Sequence, residues 1–559
     1  MMEKSRLSLG ASSEFWPTFD SISTLLRRAA YIACCAVVLT LSGSTQPHSS
    51  RPKVPAAAPS LWDRLVPGPY AVGTKSLFRY DSSRTWKITR ASGGTFSPDL
   101  EGRPVQVNVW YPASASNPGD RVTFADYVNQ TAPEQFSTFN AIMRQRNRDD
   151  ATSAVSRDQI ADLEKMEMYA QRDVQPAPGR FPVVLYFGGL DAQINSNLIL
   201  AEYLASHGYV VASVSLLGPS DEQTFQSRTS DNLEASVRDM EFAWSILQKE
   251  DYVDRTKMAV IGHSVGGIEA VILGLRNSDV SVVIGLDGTY GFAGLSDVLT
   301  HSYGYDPNKM RAAFLDLRKA QGSQGSGPLD PTAAESFRHS DRTFITLDRM
   351  HHSDFTSFAM IGAYFGRPLP AGYPATGWNR ETGRDGYESV CRIVLSMLEA
   401  KLKSGSGAPV DFQQDFRAGT TIRREKAIPF PPSPLEAATL ASLRGLDAAK
   451  ALILASCGES EISSCIDADR FNTWGYNLLE QQRAKDAVAV LDLNAWAHPT
   501  NANLQDSLSD AFSAAGDKDQ AKQAVERAID LAPSDPSFDS PQARALFLAE
   551  ERAKLQRWK

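Results

Sequence analysis

From residue 181 onward, short apolar runs alternate with longer stretches of helical spacing. Residues 183–187, 209–215, 258–261, 280–286 and 344–347 are short runs rich in Val, Ile, Leu and aromatic residues. Runs of that length and composition are the signature of strands buried on both faces. Between them, residues 197–206, 231–249 and 268–275 carry helical spacing. The alternation predicts an α/β domain whose mostly parallel sheet is covered by helices on both sides. Upstream, Val105, Val107 and Val109 alternate with Gln106, Asn108 and Trp110, so residues 103–110 read as a half-buried strand. With residues 70–73 and 111–113 they suggest an N-terminal hairpin. Residues 126–168 are polar and helical in pattern; a surface insertion is the expectation, with a lid over the site as the alternative.

The two ends read differently. Arg27-Arg28, a largely apolar run at 29–41 and the small residues Ser42-Gly43-Ser44 have the grammar of a signal peptide, so residues 1–44 are expected to direct export to the periplasm or outside the cell. Residues 45–60 form a Pro/Ser-rich linker and 61–403 the α/β domain. A second linker is expected at 404–434, where Ser404-Gly405-Ser406-Gly407 and the prolines of 429–434 lie. In the last region, 435–559, Ala487 and Ala521 stand 34 positions apart, as do Pro499 and Pro533. With Gly475-Tyr476, that period resembles tetratricopeptide repeats. Residues 435–456 and 542–558 are expected to supply flanking helices. Such a stack binds a protein partner; a helical cap on the α/β domain is the alternative.

Composition narrows the field. In 559 residues, 42% are hydrophobic, enough for more than one core. A net charge of -8 and the lack of any Lys/Arg block argue against nucleic acid as a partner. Cys457 and Cys465 could pair in an oxidising compartment. The sequence holds no His-Glu-x-x-His and no paired Cys-x-x-Cys, so neither a metal nor another cofactor is expected.

The candidate chemistry centres on Gly262-His263-Ser264-Val265-Gly266, a Gly-x-Ser-x-Gly sequence between a predicted strand and a predicted helix. In such a turn the serine is exposed as a nucleophile, and the flanking glycines leave room where backbones close in. Serine needs a base, and the base needs a carboxylate to fix its tautomer. Asp287 follows the strand 280–286, at the carboxyl end where working residues of parallel sheets sit. Of the eight histidines, His48 lies in the linker, and His207 and His263 precede Ser264. His301 follows Asp287 closely, His339 precedes the strand 344–347, and His498 belongs to the helical region. His351 and His352 alone follow a strand in the order Ser, Asp, His. For a developing oxyanion, the Val265 N–H is one expected donor. Gly189 or Leu190, in the loop after strand 183–187, is expected to supply the other.

Several stretches together resemble the plasma-type platelet-activating-factor acetylhydrolase family, related to dienelactone hydrolases. They are Gly68-Pro69-Tyr70-Ala71-Val72-Gly73, Val109-Trp110-Tyr111-Pro112-Ala113, Phe181-Pro182-Val183-Val184, residues 204–212, residues 262–267 and Gly285-Leu286-Asp287-Gly288. The resemblance implies an α/β-hydrolase fold and a metal-independent serine esterase acting on short or oxidised acyl chains of phospholipids. Membrane association would then occur only at the substrate interface. The family's histidine is followed by Phe three and six places on, which His352-Ser353-Asp354-Phe355-Thr356-Ser357-Phe358 fits and His351 does not. The resemblance therefore selects Ser264, Asp287 and His352. The family's usual His-Gly in the oxyanion loop is replaced here by Phe187-Gly188-Gly189. A second expectation is a catalytically inert hydrolase-fold platform whose helical repeats bind a partner. A peptidase is disfavoured because no propeller-like repeat precedes the α/β domain.

Overall fold

The computed structural model describes residues 59–87, 89–90, 96–97, 102–114, 119–320, 328–368, 377–404, 410–459 and 462–557. They belong to one compact unit, Pro52–Lys559. The expected signal peptide and all but the end of the first linker lie outside the described residues.

Eleven strands form the main sheet: β1 (Ala71–Asp81), β2 (Arg103–Ala113), β3 (Arg121–Thr123), β4 (Glu167–Arg172), β5 (Phe181–Phe187), β6 (Val210–Val214), β7 (Val253–His263), β8 (Val280–Leu286), β9 (Ala313–Lys319), β10 (Arg342–Leu347) and β11 (Thr420–Glu425). Their spatial order is β11-β10-β9-β8-β7-β5-β6-β2-β1-β4-β3. From β6 through β5, β7, β8 and β9 to β10 every pairing is parallel, while β2 runs antiparallel to both β6 and β1. Three strands, β2, β3 and β11, run against the others, so the sheet is mixed but mostly parallel.

The longer helices are α1 (Ser137–Ala154), α2 (Leu198–Ser206), α3 (Ser230–Leu247), α4 (Val265–Arg276), α5 (Arg380–Leu398), α6 (Pro434–Arg444), α7 (Leu446–Cys457), α8 (Ala468–Glu480), α9 (Ala484–Ala497), α10 (Ala502–Ala514), α11 (Lys518–Leu531) and α12 (Pro541–Arg557). Strand side chains point alternately to the two faces, and helices cover both. In β5, Val184 and Tyr186 join α2 and α5 in one core, whereas Val183, Leu185 and Phe187 join α3 and α4 in the other. Burial on both faces explains why the central strands read as unbroken apolar runs.

Four expectations need correction. β2 is buried along its whole length, because its polar side chains meet partners inside the fold. Trp110 Nε1 donates to Tyr127 Oη at 2.9 Å, and Ser76 Oγ donates to Asn108 Oδ1 at 2.9 Å. Residues 126–168 do not form a loose surface insertion, since Phe139 and Met143 of α1 pack with Phe78, Trp86, Phe136 and Leu217. Between β8 and β10 lies β9, which the apolar pattern does not reveal: it carries Asp316, Arg318 and Lys319, all buried. Tyr290 Oη donates to Asp316 at 2.9 Å, and Arg318 pairs with the same carboxylate, so the charges are satisfied in place. Finally, 404–434 is not a linker throughout. β11 pairs antiparallel with β10, Ile422 opposite Ile345, and its Arg423, Arg424 and Glu425 suit the exposed edge of a sheet.

Beyond β11 the chain is helical. α8 and α9 begin at Ala468 and Ala484, and α10 and α11 begin 34 residues on from each, at Ala502 and Lys518. Ala487 and Ala521, at that spacing, are both fully buried. Gly475 lies against Leu491, where a Cβ would come within 2.5 Å of that side chain, so the helices of the first pair close tightly. α6, α7 and α12 flank the two pairs. Cys457 and Cys465 form a disulfide, and Cys391 is buried and free.

Candidate active site

The site grows from the turn between β7 and α4. Ser264 has φ 57° and ψ -122°, a conformation costly for a residue with a side chain. Hydrogen bonds hold it there: its N–H donates to Leu286 O at 3.1 Å, and its carbonyl accepts from Gly267 N at 3.0 Å and Thr289 N at 2.9 Å. The turn is tight enough to exclude side chains on either side. A Cβ on Gly262 would lie 2.6 Å from Gly267 N, and one on Gly266 would lie 2.5 Å from Phe187 O. The glycine spacing in the sequence thus follows from a three-way approach of β5, β7 and α4.

Asp287 comes next along the sheet, directly after β8, also in the left-handed region at φ 46°. Its N–H donates to Leu317 O at 2.6 Å, and its Oδ1 accepts the Lys319 N–H at 3.2 Å. Its other oxygen, Oδ2, lies 2.6 Å from His352 Nδ1. A proton on Nδ1 donates to that carboxylate, leaving Nε2 as an acceptor.

His352 starts a short 3₁₀ turn, His352–Phe355, after β10. Asp354 braces the turn by accepting from His351 N at 2.7 Å and from Trp378 Nε1 at 2.6 Å. His351 faces elsewhere: its Nδ1 meets Ser353 Oγ at 3.0 Å, and its ring lies against Trp378. The geometry therefore joins His352, and not His351, to Asp287.

Ser264 Oγ makes no hydrogen bond among the described residues, so the contact from serine to imidazole stays open in this structure. Catalytic hydrogen bonds often tighten only when substrate is bound. Ser264 and His352 are nonetheless linked through His263, whose ring centroid lies 4.8 Å from that of His352 and whose Nε2–H donates to His352 O at 3.1 Å. Burial drives the His263 imidazole down to about 3, and burial followed by the Lys319 cation drives His351 down to about 4. Both rings are neutral at neutral pH.

Of the expected oxyanion donors, Val265 directly follows Ser264 and Gly189 lies against it. Val265 is the first residue of α4, so its N–H has no partner within the helix. Gly189 faces the serine: a Cβ there would lie 3.4 Å from Ser264 Cβ and 3.2 Å from His263 Nδ1. Leu190 follows, 41% exposed, and Ala192 N donates to Gly189 O at 2.9 Å, closing the turn.

Sequence motifs do not single out His263, Lys319 or Asp354. His263 occupies a variable position of the glycine-serine motif. Lys319 ends β9, the strand hidden by its charges; burial pushes its ammonium down while Asp287 and Asp354 act in the opposite direction. Among the described residues, no group of three or more His, Cys, Asp or Glu side chains could hold a metal ion.

A family model for chlorophyllase matches residues 173–314. That stretch contains Gly189, Leu190, Ser264, Val265 and Asp287 and ends before His352, so the centre of the sheet resembles an α/β-hydrolase esterase family. Chlorophyllase type 0 of Chenopodium album is 28% identical over 147 residues, which are 24% of this chain and 42% of that protein. The chain thus matches less than half the length of that relative. A solved ferulic acid esterase from Streptomyces cinnamoneus is similar with a TM-score of 0.43 and 18% identity, over 67% of this chain and 100% of that one.

Proposed function

We propose that this protein is a serine hydrolase that cleaves carboxylic esters through an acyl-enzyme. The observation that carries the reading is the 2.6 Å contact between His352 Nδ1 and Asp287 Oδ2, made beside a serine held in a strained strand-to-helix turn. In this reading Ser264 Oγ attacks the ester carbonyl carbon while His352 Nε2 takes its proton, and Asp287 stabilises the resulting imidazolium. The oxyanion is received by the Val265 N–H and by that of Gly189 or Leu190. His352 then protonates the departing alcohol, and water, deprotonated by the same ring, releases the acid. The chlorophyllase match over the sheet's centre supports an esterase.

As finer points of the proposal, the substrate is a short-chain or phospholipid acyl ester, as in the platelet-activating-factor acetylhydrolases, and the protein is exported. Two side chains beside the oxyanion loop, Leu190 and Phe225, are 41% and 64% exposed and suit a substrate with an apolar part. The Cys457–Cys465 disulfide suits an oxidising compartment. The C-terminal helix pairs serve as a tetratricopeptide-like platform for a protein partner. The open contact at Ser264 Oγ favours a second reading, an inert platform in which only the helical region works.

The experiment is hydrolysis of a panel of aryl esters and phospholipids by the full chain, with fluorophosphonate labelling in parallel. Turnover that Ser264→Ala abolishes, together with stoichiometric labelling of Ser264, supports the esterase. A wild-type chain that neither labels nor turns over any ester of the panel sinks it in favour of the platform.

A further inference from the structure

One buried side chain touches the supports of both expected oxyanion donors and takes no part in proton transfer. Gln226, 4% exposed, stands on the loop between β6 and α3. Two arginines pin that loop. Arg103 donates to Leu217 O at 3.0 Å and Gly218 O at 2.8 Å, and Arg146 donates to Leu216 O at 2.9 Å and to Thr224 O.

From this fixed base Gln226 reaches in two directions. Toward the loop after β5, its backbone N–H donates to Asp191 Oδ1 at 2.7 Å and its Oε1 accepts the Asp191 N–H at 3.2 Å. Toward α4, its Nε2 donates to Glu269 Oε1 at 2.5 Å, and to Ser236 Oγ of α3 at 3.0 Å. Both amide hydrogens are therefore spent on α3 and α4, which leaves the amide oxygen for the loop. Asp191 lies just past Gly189 and Leu190, at φ 54°. Glu269 lies one helical turn past Val265 on the inner face of α4. Burial pushes the Glu269 carboxyl well above its usual range, while hydrogen bonds from Ser236 and Gln226 act in the opposite direction.

We propose that Gln226 is a positioning residue that sets the separation of the two oxyanion donors by bonding the loop of Gly189 and Leu190 and the helix of Val265 at once. The inference rests on the esterase reading of the site. Donors stabilise an oxyanion only when they lie at hydrogen-bond distance from the place it will occupy, and a displacement of ~1 Å costs on the order of 100-fold in rate.

The test compares kcat and KM of Gln226→Met, Glu269→Leu, their double variant and Glu269→Gln on one aryl ester, with melting temperatures measured alongside. Gln226→Met keeps the volume and removes the amide; its kcat is expected to fall roughly 10- to 100-fold with KM nearly unchanged. Glu269→Leu should cost a similar factor and the double variant no more than the worse single, because both cut the same link. Glu269→Gln retains an acceptor for Nε2 and should retain most of the rate. Full kcat in Gln226→Met, or losses that simply multiply in the double variant, overturn the tether. Ser264→Ala run beside them separates the two ideas: activity that survives in it overturns the esterase reading and the tether together, whereas its loss beside full kcat in Gln226→Met overturns the tether alone.

Discussion

His352 and Asp287 meet at 2.6 Å although 65 positions separate them in the chain, and the pair is sealed on one side only: the aspartate side chain is fully buried, while that of the histidine is 28% exposed. An inward carboxylate can fix the tautomer of an imidazole whose other side stays open. Asp287→Asn keeps the shape but presents an amide to Nδ1, favouring the wrong tautomer. It is expected to lower kcat by roughly 10³- to 10⁴-fold with little change in melting temperature. Steady-state hydrolysis of an aryl ester checks this; a loss below about tenfold would mean that the pair orders the loop without assisting proton transfer.

His263 is expected to hold His352 in place without itself titrating, because burial drives its imidazole down to about 3. His263→Phe keeps a ring against His352 and removes the N–H that meets His352 O at 3.1 Å. Leaving that carbonyl unsatisfied costs ~1–3 kcal/mol, so kcat should fall roughly tenfold while KM holds. A pH–rate profile supplies the check: its shape should match that of the wild type, and the loss of a limb that the wild type shows near neutrality would mean that His263 itself exchanges protons.

The parts of this fold that are legible in the sequence share one physical trait, burial on both faces or a steric demand for glycine. β5 reads as a strand because neither face meets water, β8 because all of it but Ser281 is buried, and Gly262 and Gly266 announce a backbone approach that the structure contains. β9 is illegible because Asp316, Arg318 and Lys319 look like surface residues until their partners are known. β2 misleads for the same reason, since Gln106 Nε2 and Ser76 Oγ both donate to Asn108 Oδ1 inside the fold. The ends of the strands narrow the base to His351 and His352 and the family resemblance separates the two, but the His263 brace and the Gln226 contacts depend on three-dimensional neighbours that no local pattern encodes.

Asp150, on α1, accepts one long hydrogen bond from Gln193 N at 3.4 Å, and burial raises its carboxyl from 3.8 to about 7. Between those two values the folded chain holds a proton that the unfolded chain has released. The folded state then binds more protons, so stability falls as pH rises through that window and levels off above it. Asp150→Asn keeps an oxygen for Gln193 and cannot ionise. Its melting temperature relative to wild type is expected to climb by several degrees between about pH 5 and pH 8. Parallel melting curves across that range would contradict the assignment.

At Gly266 the loop after β5 presses directly against the turn that carries Ser264. An added methyl at this position would lie 2.5 Å from Phe187 O and also collide with Gly188 O, and neither carbonyl is the end of a flexible side chain. Relief must come from moving the loop that carries Gly189, which otherwise lies against Ser264. Gly266→Ala is therefore expected to lose on the order of 1–3 kcal/mol of stability from overpacking. It should lose activity out of proportion to that, at least ~100-fold in kcat, because in the proposed mechanism that loop supplies an oxyanion donor. Thermal unfolding and kcat measured on the same preparation test the two halves of the claim. A variant that melts lower but turns over normally would show that the strain is absorbed in β5, away from the loop.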